Sequence, residues 1–260
     1  MKHTKYRITN DVIVTCGKVL HRIEALVDIQ RCGVKAGDLG GYIERGENLS
    51  HDGDAWVYGD AQVYGDAQVY GDAQVYGGAQ VYGDARVYGD ARVYGDAWVY
   101  GDAQVYGDAR VYRDARVYGD AQVYGDAWVG EDAQVYGDAQ VYGDAQVYGD
   151  ARVGEDARVY GDVWVGEDAQ VYGDAQVGGN AKIRRNGKIA SIKDHCVFGP
   201  CGSRNDFTTF YKTETGIWVS CGCFNASIEK FLKKVEETHG DSKHGRIYKT
   251  LAELASMKLE

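Results

Sequence analysis

Residues 59–70 read Gly-Asp-Ala-Gln-Val-Tyr-Gly-Asp-Ala-Gln-Val-Tyr, which is one six-residue unit twice in succession. The unit repeats without insertion over residues 54–189. Within it, Val occupies every sixth position from Val57 to Val177, 21 times in a row, and two isoleucines continue the series. A fixed short period is the sequence signature of a solenoid, in which each unit stacks on the next.

The period of six indicates β structure. Six is a multiple of the two-residue strand period, so Ala and Val, two positions apart, share the inner face while the residue between them points outward. Ala stands two residues before the aliphatic position in 21 of 22 repeats, and Val163 is the exception. The Tyr-Gly-Asp that follows suits a corner, because Gly adopts backbone conformations that a Cβ disfavours and Asp can bond to nearby backbone.

The repeat resembles the hexapeptide-repeat proteins, most literally in Val129-Gly130-Glu131-Asp132-Ala133, where Gly follows the aliphatic residue and a small residue comes four places on. The resemblance implies an all-β fold, a single-stranded left-handed parallel β-helix of triangular section with three repeats per coil. Residues 18 apart then stack at roughly 4.8 Å. The 23 repeats predict between seven and eight coils.

Residues 1–53 are expected to form an N-terminal β cap on the solenoid of residues 54–189. Short apolar alternations at 6–9, 12–15 and 19–23 are typical of strands. The segment from Leu20-His21-Arg22-Ile23 through Gly-Asp-Leu-Gly-Gly-Tyr-Ile-Glu to Asn48-Leu49-Ser50 resembles the start of the uncharacterised bacterial YdcK-type proteins. A cap would cover sheet edges that otherwise pair with other molecules.

Residues 190–260 are expected to form a second cap, a small α+β module of ββαα order. Strands at 207–212 and 217–220 flank a Gly-containing turn, and helices are predicted over 228–238 and about 246–258. Three strings are similar to a module at the end of some bacterial and prophage repeat proteins: Gly202-Ser203-Arg204-Asn205, Gly222-Cys223-Phe224 and Thr238-His239-Gly240. That resemblance implies a prophage origin.

Composition and charge lead us to expect a soluble, cytoplasmic protein. Lys and Arg number 29 against 39 Asp and Glu, and the formal net charge of −10 argues against general binding to nucleic acid or to anionic membranes. No apolar stretch approaches the length of a membrane span, and the first residues lack the apolar segment of a signal peptide.

The positions of the histidines argue against an enzyme. Hexapeptide acyltransferases, as the resemblance implies, use a His of a coil or loop as general base and bind coenzyme A along the prism, often between the subunits of a trimer. Here the six histidines all lie outside residues 54–189, at positions 3, 21, 51, 195, 239 and 244. The same arrangement argues against a three-His zinc site in the coils. We expect no catalytic residue and no cofactor, and a homotrimer is the assembly that the resemblance implies.

One side of the prism collects aromatic and basic residues. Its outward positions carry, in chain order, Trp56, Gln74, Arg92, Arg110, Trp128, Gln146, Trp164 and Lys182. Because Trp and Arg are enriched where binding energy concentrates, the candidate binding residues on this side are Trp56, Arg92, Arg110, Trp128 and Trp164, although stacking for stability also explains them. The irregular C-terminal region, whose side chains are diverse, adds the candidates Arg204, Asn205, Trp218 and His239.

Cysteines and aspartates have simpler structural explanations. Cys196, Cys201, Cys221 and Cys223 are weak candidates for a metal site, because their C-x4-C and C-x-C spacings differ from the paired C-x2-C pattern of zinc sites. Free thiols in a reducing compartment explain them more simply.

The Asp of each repeat belongs to one of three columns of like charges, which either accept corner N–H bonds or present an acidic surface.

The sequence therefore predicts a non-catalytic binding or scaffold protein that presents a rigid acidic and aromatic β-helical surface to a protein or small-molecule partner. One alternative is a relative of the coenzyme A-dependent acyltransferases. Another is a phage inhibitor that acts as an acidic DNA mimic or sequesters a nucleotide signal. An unbroken surface with a captured partner favours binding, whereas a pocket with a bound acyl carrier favours the enzyme.

Overall fold

The computed structural model describes residues 4–259. They form a parallel β solenoid of about eight coils, with an N-terminal group of strands at one end and an antiparallel sheet with two helices at the other. The predicted architecture is confirmed, while the left-handed sense of the solenoid stays a prediction. No helix within residues 4–259 is both long enough and apolar enough to cross a membrane.

Three strands precede the repeat: β1 (Tyr6–Thr15), β2 (Lys18–Ala25) and β3 (Leu39–Ile43), with 3-10 turns at Gln30–Cys32 and Gly46–Asn48. The two segments predicted at 6–9 and 12–15 are one strand, whose pairing with β2 shifts between Ile8 and Val12. β2 pairs antiparallel with both of its neighbours, and Tyr42 of β3 then pairs in parallel with Gln62 of the first coils. The cap thus continues a sheet of the solenoid.

Twenty-three short strands, β4 to β26, follow. Their bounds are Trp56–Val57, Gln62–Val63, Gln68–Val69, Gln74–Val75, Gln80–Val81, Arg86–Val87, Arg92–Gly95, Trp98–Val99, Gln104–Val105, Arg110–Arg113, Arg116–Val117, Gln122–Val123, Trp128–Val129, Gln134–Val135, Gln140–Tyr142, Gln146–Val147, Arg152–Val153, Arg158–Tyr160, Trp164–Val165, Gln170–Val171, Gln176–Val177, Lys182–Ile183 and Lys188–Ile189. They divide among three parallel sheets, one of eight strands, one of seven and one that also includes β1 to β3.

Residues 18 apart are paired neighbours, as predicted. Trp128 pairs in parallel with Arg110 on one side and with Gln146 on the other. The inward Ala, Val and Ile side chains of the repeat, from Ala55 to Ile189, are at most 1% exposed. Each coil therefore adds a layer of small apolar side chains to one continuous core. These side chains are buried only where a neighbouring coil covers them.

The corners depend on a left-handed backbone. The Gly of the Tyr-Gly-Asp corner has φ between 57° and 77° wherever it occurs from Gly59 to Gly179, a region in which a Cβ is disfavoured. Charged residues take this position at five corners and keep a positive φ there, namely Arg113, Glu131, Glu155, Glu167 and Arg185. Glu131 shows how such a residue is held: its carboxylate accepts a hydrogen bond from the Gly149 N–H at 2.9 Å and pairs with Arg113 at 2.9 Å.

After the repeat come a 3-10 turn (Ile192–Asp194), strands β27 (His195–Cys201), β28 (Asp206–Thr213), β29 (Gly216–Cys221) and β30 (Phe224–Ser227), and helices α1 (Ile228–His239) and α2 (Lys243–Leu259). The four strands form one antiparallel sheet, so the module has two strands more than the predicted ββαα order, one on each side of the predicted pair. The second helix begins three residues before its predicted start.

The C-terminal sheet packs on the solenoid with one face and on the helices with the other. Tyr211 and Trp218 contact the end of the solenoid core, whereas Phe210 and Val219 join the core formed with α1 and α2. The Lys182 N–H also donates to Oγ1 of Thr209 at 3.0 Å. The sheet therefore covers the last coil and holds the helices away from it.

The N-terminal cap buries Trp56, which we expected on the exposed side of the prism. Trp56 is only 1% exposed: it packs edge-on against Tyr6, and Gly40 lies so close that a Cβ there would stand 2.8 Å from the indole. The expectation that Trp56 is a surface residue is wrong because the cap folds over the first coil. Lys5 lies in the same region and donates to the Ala55 carbonyl at 2.8 Å, and burial lowers its pKa to about 8.

Candidate functional site

The C-terminal module contains a partly enclosed cavity of about 330 Å³. It lies where the turn between β27 and β28, the turn between β29 and β30, and the two helices meet. Its lining residues are Ser203, Arg204, Cys221, Cys223, Phe224, Phe231, Lys234, Val235, Thr238, His239 and Tyr248. Its volume falls at the low end of the range of ligand pockets in proteins.

Two glycines shape the rim of this cavity. Gly202 has φ of 74°, and a Cβ there would stand 2.2 Å from the hydroxyl of Tyr248, which accepts a hydrogen bond from the Ser203 N–H at 3.1 Å. Gly222 has φ of 58°, and a Cβ there would stand 2.6 Å from Nη1 of Arg204. The first turn therefore favours glycine through both its positive φ and its contact with the tyrosine ring, whereas the second favours it mainly through its positive φ.

Aromatic side chains form the floor. Phe231 and Tyr248 are buried and meet edge to face, with ring centroids 5.7 Å apart, and Phe224 lies 5.7 Å from Phe231 at a tilt of 57°. Val235 is buried one helical turn beyond Phe231. Helix α1 thus lines one side of the cavity with the same apolar stripe by which it packs on the sheet.

Basic groups surround the opening. Arg204, Lys234 and His239 line the cavity, and none of its lining residues is Asp or Glu. Nη1 of Arg204 donates to the thiol of Cys223 at 3.7 Å, and this contact raises the pKa of the guanidinium. The cavity lining therefore has basic side chains and no acidic ones, in a chain whose formal net charge is −10.

The cysteine candidates divide between core and cavity. Cys196 is buried between the sheet and the helices, where burial raises its thiol pKa to about 11, while Cys221 and Cys223 line the cavity. Cys201 is half-buried, and its pKa is also raised by burial and by Cys221. Within residues 4–259 no group of three or more His, Cys, Asp or Glu side chains is placed to hold a metal ion.

Two of the four C-terminal candidates meet at this cavity. Arg204 and His239 line it, and the three strings that resemble a prophage module all reach it through Ser203, Cys223 and Thr238. Asn205 lies in the same turn as Arg204, with φ of 49°, but does not line the cavity.

Trp218 packs on the opposite face of the sheet, toward the solenoid. The residues that we did not anticipate are Lys234 and Tyr248. The amphipathic pattern of the helices indicated their secondary structure but not which residues would face the two turns.

The tryptophan side of the prism is a second surface. Trp128 is 39% exposed, and its ring is covered by the guanidinium of Arg110 at 4.7 Å and by the edge of Tyr112 at 6.4 Å. Trp164 is half-buried and has both Lys182 and a neighbouring arginine 5.7 Å from its ring centre. With Trp56 buried, the candidate residues that reach solvent on this side are Arg92, Arg110, Trp128 and Trp164.

Stacked tyrosines line all three corners. Tyr70 and Tyr88, for example, lie 4.8 Å apart with ring planes 3° from parallel. Within each stacked run a ring covers the face of the next, so mainly edges and hydroxyl groups reach solvent, whereas Tyr58 meets Tyr76 edge-on. Some hydroxyls donate to a Gln of the following coil, as Tyr88 does to Gln104 at 3.2 Å. The columns thus offer few free ring faces on which a base or sugar could stack.

In each of the three Asp columns, an arginine of the N-terminal cap pairs with carboxylates of the first coils. Arg22 pairs with Asp60, Arg45 with Asp66, and Arg31 with both Asp72 and Asp90. Farther along, outward Arg side chains lie beside the carboxylate column, as in the groove lined by Asp114, Arg116, Asp132, Gln134, Asp150 and Arg152. The acidic surface is therefore interleaved with basic groups.

The repeat matches the family model of the YdcK beta solenoid repeat. Seven segments match, at residues 61–77, 67–83, 79–95, 85–101, 103–119, 115–131 and 133–149. All of them lie in the coils, which agrees with the resemblance found at the N-terminal end and leaves the C-terminal module outside the match. No curated protein matches the chain.

Proposed function

We propose that this YdcK-type β solenoid is the scaffold of a non-catalytic binding protein whose specific contact is made by the C-terminal module. The observation that supports this most directly is the cavity between the sheet and the helices, where Arg204 and His239 meet an aromatic floor. The coils repeat the same few side chains, whereas this cavity of the module brings diverse ones together.

In this proposal the solenoid sets the distance of the cavity from the other end of the rod and the direction in which it lies. Eight coils at roughly 4.8 Å each make a rod of roughly 38 Å, whose continuous core leaves it stiff. The sheet is fastened to the last coil through Tyr211 and Trp218, so the cavity keeps a fixed position relative to the rod. The side that carries Trp128 and Arg110 provides an additional surface for the partner.

The experiment is affinity capture with the full chain as bait, followed by mass spectrometry of the proteins and small molecules that it retains. Arg204→Ala should lower retention of the partner about tenfold or more, because it removes the guanidinium that lines the cavity. Trp128→Ala should lower it severalfold, and Gln140→Ala, which faces another side of the prism, is the matched control.

Equal retention by all three variants would contradict the proposal. Acetyl transfer from coenzyme A to any acceptor in a broad screen would favour the acyltransferase alternative instead. Capture of a DNA-binding protein that is insensitive to Arg204→Ala would favour the acidic mimic.

A further inference from the structure

The floor of the C-terminal cavity is suited to a flat ring. Phe224, Phe231 and Tyr248 line it with their rings tilted to one another, and Phe231 and Tyr248 are buried. Aromatic pairs favour edge-to-face and offset contacts at centroid separations of about 4.5–7 Å, so an inserted ring would extend a cluster that is already present.

The rim is suited to an anion. Among residues 4–259, the guanidinium of Arg204 contacts the thiol of Cys223 and no carboxylate, so its other donors can form the paired hydrogen bonds that carboxylates and phosphates accept. Lys234 contributes a second cation, which its exposed neighbour Glu237 contacts only at 3.9 Å. His239 lies 5.6 Å from Tyr248, centre to centre, and joins the basic rim to the aromatic floor.

The size of the cavity limits the ligand. A volume of about 330 Å³ suits a single ring system with one substituent group and is too small for a folded segment or a long polymer. Ring and anion must therefore belong to one compact molecule, or to one terminal group of a larger one.

From these features we infer that the cavity binds a small aromatic anion, a molecule that joins one ring system to one carboxylate or phosphate group. The inference rests on the proposed binding function and specifies its ligand. Nucleotides and aromatic carboxylates share this chemistry, and the experiment separates them.

Cys223 provides a reporter inside the site. Its thiol is exposed and lines the cavity beside Arg204, so an occupant should shield it from alkylation. Cys16 is also exposed but lies at the turn between β1 and β2, at the other end of the solenoid. The two thiols in one molecule are thus a matched pair of probe and control.

The test measures the rates at which N-ethylmaleimide alkylates Cys223 and Cys16 in the full chain, by peptide mass spectrometry. The probes are adenosine 5′-monophosphate, phenylacetate, adenosine and inorganic phosphate at equal concentration. At least one of the two aromatic anions should slow alkylation of Cys223 at least fivefold, and the more protective one identifies the class. Adenosine and phosphate should each change the rate less than twofold, and the rate at Cys16 should stay constant.

Arg204→Gln should abolish the protection, and Lys234→Gln should weaken it, both expressed as the ratio of rates with and without probe so that any direct effect on the thiol cancels. Absence of protection by both aromatic anions would overturn the inference, as would equal protection by phosphate alone. If affinity capture still retains a partner through Arg204 in that case, the proposed binding function stands without the small ligand.

Discussion

The ring of Tyr112 lies over Gly130, the residue one coil further along the same column: a Cβ on Gly130 would stand 2.1 Å from Cζ of that ring. Tyr112 tilts to reach this position, since its plane makes 15° with Tyr94 at 5.5 Å, whereas the preceding pair Tyr76–Tyr94 lies at 5° and 4.8 Å. The same tilt recurs at Tyr136 and Tyr160, and each of those rings also lies over a Gly of the next coil. A glycine therefore ends each continuous run of stacked tyrosines, and the ring before it lies over that glycine.

Gly130→Ala should destabilise the solenoid by about 1–2 kcal/mol, because the added methyl group overlaps the Tyr112 ring in a packed position. Gly130 does not have a positive φ, so backbone strain does not contribute. Urea unfolding measures the change. Gly46→Ala is the control, because an added Cβ there has no atom within 4 Å. The double variant Gly130→Ala/Tyr112→Ala should lose less stability than the sum of the losses in the two single variants. A Gly130→Ala protein as stable as the parent would contradict this account.

Trp56 and Trp128 occupy equivalent outward positions on one sheet and should respond very differently to truncation. Trp56→Ala should cost about 3–5 kcal/mol, because Trp56 is fully buried beneath the N-terminal cap. Trp128→Ala should cost about 1 kcal/mol, mainly through its exposed contact with Arg110. Chemical unfolding of the two variants under the same conditions compares them directly. Equal losses would mean that the cap does not cover Trp56 in solution.

The contrast between these two tryptophans shows what the repeat could predict. A strict six-residue period and the alternation of strand side chains were sufficient to place Trp128 beside Arg110 and Gln146, because each depends only on distance along the chain. The burial of Trp56 depends instead on Tyr6 and Gly40, in a segment without the period. Local pattern does not determine how such a segment folds over the first coil.

The cavity escaped prediction for the same physical reason. Ser203 and Tyr248 meet across 45 residues, and the contact depends on how two turns and two helices pack rather than on any repeat. The sequence pattern indicated α1 accurately, and the three quoted strings marked the right turns. Nothing in their spacing indicated that Arg204 would lie against Gly222, in the β29–β30 turn.

At Glu131, backbone strain and hydrogen bonding have opposite effects on the stability of the corner. Its φ of 59° is an unfavourable backbone conformation for any residue that has a Cβ. Its carboxylate accepts hydrogen bonds from the Gly149 N–H and from Arg113. Glu131→Ala keeps the strain and loses both contacts, whereas Glu131→Gly loses the contacts but relieves the strain. The Ala variant should therefore be less stable than the Gly variant by about 1 kcal/mol in urea unfolding. Two variants of equal stability would show that the left-handed position costs Ala nothing there.

His195 should make the C-terminal module sensitive to mild acid. The side chain is 6% exposed, its Nδ1 has no hydrogen-bond partner among the described residues, and burial lowers its pKa from 6.5 to about 4. Lys258, whose ammonium group donates to the His195 carbonyl at 2.7 Å, lowers the pKa further, while Asp194 acts in the opposite direction.

The unfolded chain therefore binds a proton near pH 6.5 that the folded chain accepts only near pH 4. As the pH falls through this interval, protonation favours the unfolded state, so His195 should reduce the free energy of unfolding progressively, by about 3 kcal/mol in total. Urea unfolding of the parent and of His195→Gln at several values between pH 7 and pH 4 isolates this contribution from that of the carboxylates, which both proteins share. As the pH falls, the Gln variant should become more stable relative to the parent. Lys258→Gln should make the free energy of unfolding fall less steeply with pH, because it removes a like charge beside His195. Parallel pH profiles for the parent and the Gln variant would show that His195 titrates alike in both states and is not buried as described.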